Sequence, residues 1–280
     1  MESLKFAVNA KINLSLAVMG KRPDGYHNLD TVMQTVNISD GIFIKKSPVF
    51  KFECNKFCGE ENIACKAARR FFEAARTAPA AEIKIEKSIP SSAGLGGGSA
   101  DAAGVLVGLN VLFNTGLSSA ELCKIAVTLG ADVPFLIDGG TQRAKGIGEI
   151  LTPLPHIPKC TFLTVLAGEK PSTGEMFARL DSLNYPKPDI EKTARAISSG
   201  SYAELTQALG NSFSVLWNGE KITEKLYKYG ADAVALSGSG PARFAVFADS
   251  EKADKAKALL EKDGVTVYLC HPAKKSVVFK

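Results

Sequence analysis

The chain has 280 residues, 45% of them hydrophobic and 22% charged, with a net charge of +5. This is an ordinary soluble composition, with room for one large domain or two modest ones; the mild positive excess suits phosphorylated anions but falls short of a nucleic-acid-binding stripe. No apolar run approaches the roughly 18 residues that cross a bilayer, and the opening residues lack a signal-peptide order, so no membrane partner and a cytoplasmic location are expected.

In chain order, residues 11–18 alternate with period two and predict a strand. Ile12, Leu14, Leu16 and Val18 are expected on one face; Lys11, Asn13 and Ser15 are expected on the other, with Lys11 and Asn13 about 7 Å apart. Residues 31–38, 42–46 and 81–87 read as further strands, the last with Ile83 and Ile85 inward. Residues 61–75 place Ala64, Ala67, Ala68, Phe71, Phe72 and Ala75 on one stripe and predict a helix. Ser118 and Glu121 form a capping box, and Gly130 stops the helix they open. The run TPLPHIP, residues 152–158, reads as a link between two subdomains, 1–155 and 156–280.

A strand over 161–167 begins the second half. Helices are expected over 188–198 and 202–209, then strands over 233–236 and 243–248 joined by the turn SGSGP. A helix near 251–262 and a strand over 265–269 follow. There is no internal repeat. The six cysteines match no common zinc spacing and the three histidines are scattered, so reduced thiols are expected and a histidine metal centre is not.

The stretch IPSSAGLGGGSADAAG, residues 89–104, lies between an expected strand and a helix expected over 99–113. Gly94, Gly96, Gly97 and Gly98 leave backbone N–H groups unshielded at a helix N-terminus, where they bind phosphate through hydrogen bonds and the helix dipole. Ser91, Ser92 and Ser99 add hydroxyls. The spacing fails both the P-loop, which needs a lysine after the glycines, and the dinucleotide fingerprint, which needs glycine at position 99. A plain turn needs one or two glycines, so a phosphate site is the better reading.

This serine-led loop and its alanine-rich helix resemble the phosphate loop of the GHMP kinases. Within that superfamily the chain is similar to the 4-diphosphocytidyl-2-C-methyl-D-erythritol kinase family. The likeness rests on AKINL, RPDGYH, EEN at 60–62, the glycine loop, LGADVPF at 129–135, KGIGE at 145–149, PST at 171–173 and SGSG at 237–240. It implies an α+β fold, with an N-terminal ribosomal-protein-S5-like subdomain, a C-terminal α/β plait and the active site in the cleft between them.

It also implies an ATP-dependent kinase of non-mevalonate isoprenoid synthesis, with magnesium and a cytidine diphosphate substrate, working as monomer or homodimer without nucleic acid. Asp132 matches the family's catalytic aspartate, Lys11 the lysine beside it, and Asn13 an acceptor-positioning side chain. By pattern alone, Asp132 reads as a turn or helix cap and Lys11 as a solvated strand residue. Tyr26 is expected to stack on cytosine, His27 to hydrogen-bond its edge and Phe177 to complete an aromatic sandwich. Thr173 is expected beside the methylerythritol part. Asn62 and Lys87 match nucleotide-side residues, though Lys87 also reads as an exposed strand lysine. Leu95 belongs to the loop, and Ser99 is the candidate magnesium ligand. Ser237, Gly238, Ser239 and Gly240 form a second turn that either backs the loop or is a plain hairpin. The sequence departs from the family at Ser212 and Ser214, where acidic residues are usual, and at Ala100 and Pro241. The rival readings are a homoserine or mevalonate type of kinase, and a non-catalytic nucleotide or RNA binder on the same fold.

Overall fold

The computed structural model describes residues 2–166, 168, 171–217 and 219–279. Alternating apolar residues build two long strands, β1 (Ser3–Lys21) and β2 (His27–Lys46), which pair antiparallel and form the spine of the molecule. The short strand β3 (Lys51–Cys54) precedes helix α1 (Ile63–Ala74), whose stripe of Ala64, Ala67, Ala68, Phe71 and Phe72 is buried. Asn62 opens this helix by accepting a hydrogen bond from the Ala64 amide. Strand β4 (Ala81–Glu86) leads into the glycine loop and helix α2 (Gly97–Phe113).

Helix α2 is apolar around nearly its whole girth, as a central helix must be. Gly104 and Gly108 bring its backbone onto β1 and β2, where an added methyl would lie 2.2 Å from Val8 and 2.6 Å from Phe6. Next come α3 (Ser119–Ala126), with the expected capping box, and α4 (Val133–Asp138). The hairpin β5 (Thr141–Gly146) and β6 (Ile150–Pro153) then joins the first sheet through β2.

Beyond the proline-rich segment, β7 (Thr161–Leu166) starts a second sheet; Ala167, the expected last strand residue, lies outside the described residues. Three helices follow: α5 (Thr173–Asp181), α6 (Ile190–Ser198) and α7 (Tyr202–Ala208). Then come the two-residue strand β8 (Gly210–Asn211), a 3₁₀ turn (Ser212–Leu216) and α8 (Glu220–Lys228). Strands β9 (Ala233–Leu236) and β10 (Ala242–Phe247), helix α9 (Ser250–Lys262) and strands β11 (Val267–Cys270) and β12 (Val277–Phe279) complete the chain.

The second sheet runs β11-β7-β10-β9, the 4-1-3-2 order of an α/β plait, with α8 and α9 packed on one face around Leu226, Ala253, Ala256 and Leu260. The sheets are not independent. Strands β8 and β12, from the second half, both pair with β1, and one continuous core includes Phe6 and Val8 together with Phe162 and Phe244. A cut at 155/156 therefore separates the starts of the sheets but not two free-standing halves. No helix among the described residues is long and apolar enough to cross a membrane.

The expected faces of residues 11–18 need correction. A bulge between Asn13 and Ser15 places Leu16 opposite Thr31, while Asn13 lies opposite Met33. The extra residue reverses the phase of the residues that follow, up to the next irregularity between Val18 and Gly20. Leu16 and Val18 thus cross to the side of Lys11 and Asn13, where they pack with Met176, Leu180 and Phe213. Ser15 turns to the other side, fully buried, and its hydroxyl has no hydrogen-bond partner.

Candidate active site

The glycine loop is fixed from three sides. The Lys11 amide donates to the Leu95 carbonyl at 2.9 Å, and the Ala242 amide to the Ala93 carbonyl at 3.0 Å. The Ser237 hydroxyl donates to the Gly94 carbonyl at 3.0 Å and accepts from the Asn13 amide at 3.2 Å. Gly94 sits at φ +81°, and a methyl there would lie 2.4 Å from the Ser237 carbonyl oxygen. The turn Ser237–Gly240 therefore serves both as the β9–β10 hairpin and as the backing of the loop. Asn211 secures it by donating to the Leu236 and Gly238 carbonyls, each at 2.8 Å, and the Trp217 indole donates to the Ser239 carbonyl.

Gly96, left-handed at φ +70°, starts α2 with no side-chain cap. The first amides of this 17-residue helix, those of Gly97, Gly98 and Ser99, thus have no intrahelical acceptor and point their dipole ends outward. Leu95 differs from its loop neighbours: its side chain is buried in the core and only its backbone takes part.

Two cavities meet at this helix start. One, of about 650 Å³, is lined by Lys11, Asn13, Tyr26, His27 and Phe177 among others. The other, of about 450 Å³, runs along Ser91, Ser92, Asn62, Lys87 and the glycines to the exposed ring of Phe57. Gly94, Ser99, Asp132 and Thr173 line both.

At the junction, the Lys11 ammonium lies 3.1 Å from an Asp132 carboxylate oxygen and donates to Asn13 Oδ1 at 2.6 Å. Asn13 Nδ2 in turn donates to the Thr31 hydroxyl at 2.9 Å, which donates to the Ser15 carbonyl. Lys11 is buried, so it is not a solvated strand residue, whereas the Asp132 side chain is 36% exposed to the cleft. Asp132 occupies the N-cap position of α4, yet its side chain makes no capping bond and turns to Lys11 instead. A carboxylate open to the cavity beside a buried, oriented cation is a constellation for taking or steering a hydroxyl proton.

At the far end of the larger cavity, His27 Nε2 meets Asp181 Oδ1 at 2.6 Å, and Lys21 reaches the other Asp181 oxygen at 3.2 Å. The His27 hydrogen bond, ahead of Lys21, holds the Asp181 carboxyl below its ordinary range. Phe177 stacks on His27 at 4.6 Å and 20°, and meets Phe213 edge-on at 4.9 Å. The aromatic pair is thus His27–Phe177, and Tyr26 stands apart as a 61% exposed ring on the same cavity. The RPDGYH turn is closed by the Arg22–Asp24 pair and by the Tyr26 amide donating to Asp24.

On the nucleotide side, the Asn62 side chain spends its groups on capping α1 and on the Phe57 carbonyl. Lys87 is not an exposed strand lysine: its side chain is 6% exposed and pairs with Asp40 and Asp101. Neither aspartate was expected from the sequence, although Asp101 is the lone charge in the apolar run 100–109. Asp181 was also missed; Thr173, Phe177 and Asp181 stand four residues apart, the spacing that puts them on one helix face. Ser212, where the family usually has an acid, accepts from the Val18 amide and donates to the Pro186 carbonyl, so both hydroxyl functions are used structurally.

Comparison with known proteins identifies the family. Residues 62–140 match the GHMP kinases N terminal domain and residues 218–265 the GHMP kinases C terminal family. Lys11, Asn13, Tyr26 and His27 precede the first matched span. A protein of Thermoanaerobacter pseudethanolicus named 4-diphosphocytidyl-2-C-methyl-D-erythritol kinase is 38% identical over 265 residues, 91% of each chain. One of Acetivibrio thermocellus with the same name is 39% identical over 264 residues, 90% of this chain and 93% of that one. A solved 4-(cytidine 5'-diphospho)-2C-methyl-D-erythritol kinase superposes with a TM-score of 0.79 at 30% identity, covering 96% of this chain and 99% of that one. A homoserine kinase of Cytophaga hutchinsonii reaches the same TM-score at 16% identity, which establishes the shared fold alone. The chain is a small-molecule kinase of the GHMP superfamily and belongs, within it, to the 4-diphosphocytidyl-2-C-methyl-D-erythritol kinases.

Proposed function

We propose that the chain transfers the terminal phosphoryl group of ATP to the 2-hydroxyl of 4-diphosphocytidyl-2-C-methyl-D-erythritol, in the methylerythritol phosphate route to isoprenoids. The observation that carries this reading is the meeting of two cavities at Asp132 and Ser99. ATP takes the smaller cavity, with its phosphates on the amides of Gly97, Gly98 and Ser99. The cytidine-linked acceptor takes the larger one. Tyr26, His27 and Phe177 hold the cytosine, Thr173 borders the methylerythritol, and the acceptor hydroxyl reaches Asp132.

Phosphoryl transfer is mainly positioning plus stabilisation of charge. Asp132 accepts or orients the acceptor proton as the new O–P bond forms and ADP departs. Lys11, hydrogen-bonded to Asn13 and ion-paired with Asp132, offers its remaining hydrogens to the transferring group. Asn13 keeps that ammonium in place.

Among the described residues, no group of three or more His, Cys, Asp or Glu side chains is arranged to hold a metal ion. The Ser99 hydroxyl at the junction suits magnesium bound mainly through nucleotide phosphates and water. When bound, magnesium would neutralise triphosphate charge. The enzyme is expected to act in the cytoplasm, as monomer or homodimer, without nucleic acid.

The test is phosphorus NMR of purified protein with substrate, ATP and magnesium. A new phosphomonoester signal is expected, with homoserine and mevalonate left unchanged in parallel reactions. No new phosphomonoester, or equal turnover of the other acceptors, would overturn the reading.

A further inference from the structure

Two lysines flank the glycine loop, and their ammonium groups are used differently. Lys11 has one hydrogen-bond acceptor, Asn13, and an ion-pair partner, Asp132. Lys87 has three hydrogen-bond acceptors: the Asp40 carboxylate, Asp101 Oδ2 at 2.5 Å and the Gly97 carbonyl at 3.2 Å. An ammonium has three hydrogens and no acceptor capacity, so all of Lys87's donors are committed. Its side chain is 6% exposed, against 0% for Asp40 and 3% for Asp101. A phosphate could claim a hydrogen from Lys87 only by stripping a buried acceptor of its partner.

What these bonds connect is informative. Asp40, on β2, also accepts the Ser88 and Ile89 amides and so fixes the chain where it leaves β4. Asp101 stands on the second turn of α2, and the Gly97 carbonyl lies in the first. Lys87 thereby ties β2, the exit of β4 and the start of α2 into one buried joint. That joint sets where the Gly97, Gly98 and Ser99 amides point. The fit is close: a methyl on Gly97 would lie 2.9 Å from Ile89 and 3.4 Å from the Lys87 amine.

We propose that Lys87 and Asp101 are positioning residues: they hold the first turn of α2 in the orientation that cradles the triphosphate, and Lys87 itself donates no hydrogen to the nucleotide. This rests on the nucleotide seat proposed above. It inverts an electrostatic expectation. If Lys87 were a phosphate ligand restrained by Asp101, deleting that side chain would free the cation for the phosphates, and ATP would bind more tightly. If Lys87 is a strut, the same deletion loosens the helix start and ATP binds more weakly.

Asp101→Ala and Asp101→Asn serve as the two arms. Asparagine matches the carboxyl in shape and keeps a side-chain oxygen as an acceptor for Lys87. Calorimetric titration with a non-hydrolysable ATP analogue should show affinity lowered about tenfold or more in Asp101→Ala and largely restored in Asp101→Asn. Binding of cytidine diphosphate, at the other cavity, should stay unchanged in both and reports an intact fold. Tighter or unaltered analogue binding in Asp101→Ala overturns the proposal.

A measurement on the wild-type enzyme reads the Lys87 ammonium directly and does not depend on either Asp101 variant folding. The Lys87 ¹⁵Nζ signal, assigned by its loss in Lys87→Arg, should resist hydrogen exchange and keep its shift when the analogue is added. A large analogue-induced shift, with loss of protection, shows a phosphate contact and overturns the proposal. Failure of the wild-type enzyme to bind the analogue would instead reject the nucleotide seat itself.

Discussion

The junction of the cavities places opposite demands on residues a few Å apart. Asp132 must stay open to the cleft, whereas Lys11 must be buried to hold its direction, and the 36% and 4% exposures of their side chains fit that division. Asp132→Ala should lower kcat by roughly 10²-fold or more while the ATP analogue still binds, because the carboxylate acts on the acceptor and not on the nucleotide. A kcat near that of the wild type would remove Asp132 from the chemistry. The loop glycines divide in the same way. Gly94 is constrained by its own fold, with positive φ and the Ser237 carbonyl 2.4 Å from where a methyl would stand. Gly98 has only the Ile63 methyl at 3.4 Å, an ordinary contact. Gly94→Ala should therefore cost roughly 1–3 kcal/mol of stability, read as a lowered Tm. Gly98→Ala should leave Tm within about 1 °C of wild type, since ordinary contacts cost little, and raise KM for ATP, because its methyl intrudes where phosphate must approach. Equal losses of Tm in the two would contradict this division.

At the scale of elements, the buried joint of β2, β4 and α2 has a consequence for stability. Asp101, raised to about 8 by burial first and opposed by Lys87, keeps in the folded chain a proton that the unfolded chain gives up near the ordinary 3.8. Between those values the native state binds more protons, so stability falls as pH rises through the window. Lys87, raised above its ordinary 10.5, keeps its charge throughout. Tm should fall by several degrees between pH 6 and pH 8.5, and Asp101→Asn should flatten that slope; an unchanged slope would assign the dependence elsewhere. Such a joint is hard to read from sequence. The strand 81–87, the helix start and the glycines are visible in local patterns, and so is the lone charge of Asp101. That Asp40 meets them is set by sheet pairing across more than forty residues, which no local period encodes. The bulge in β1 is another case. Alternation in 11–18 identifies the strand, but one extra residue after Asn13 reverses the face of Leu16 and Val18. The helix bearing Thr173, Phe177 and Asp181 was overlooked although its capping box, Ser172 with Glu175, was legible.

The whole molecule explains why the glycine loop needs both halves of the chain. The loop belongs to the first sheet's layer, yet its backing is the β9–β10 turn of the second sheet, and β8 and β12 return to pair with β1. The cleft is thus a seam between two sheets sharing one core, with the amides that open α2 on one lip and Ser237–Gly240 behind them. Motif order along the chain made both turns visible, but only the packing joins them. Ser237 is the narrowest bridge, since its hydroxyl at once accepts from the Asn13 amide and donates to the Gly94 carbonyl. Ser237→Ala leaves a buried amide on the strand that carries Lys11 without its acceptor, and frees the loop from the turn. The expected cost is about 1–3 kcal/mol of stability. The expected kinetic result is a fall in kcat larger than any rise in either KM, because both substrates keep their own cavities while the registration of Asp132, Lys11 and the loop is lost. Thermal melts with steady-state kinetics at saturating ATP and acceptor separate the two effects. Unchanged kcat alongside a lowered Tm would make the bridge purely structural and leave alignment of the cleft to the core beneath it.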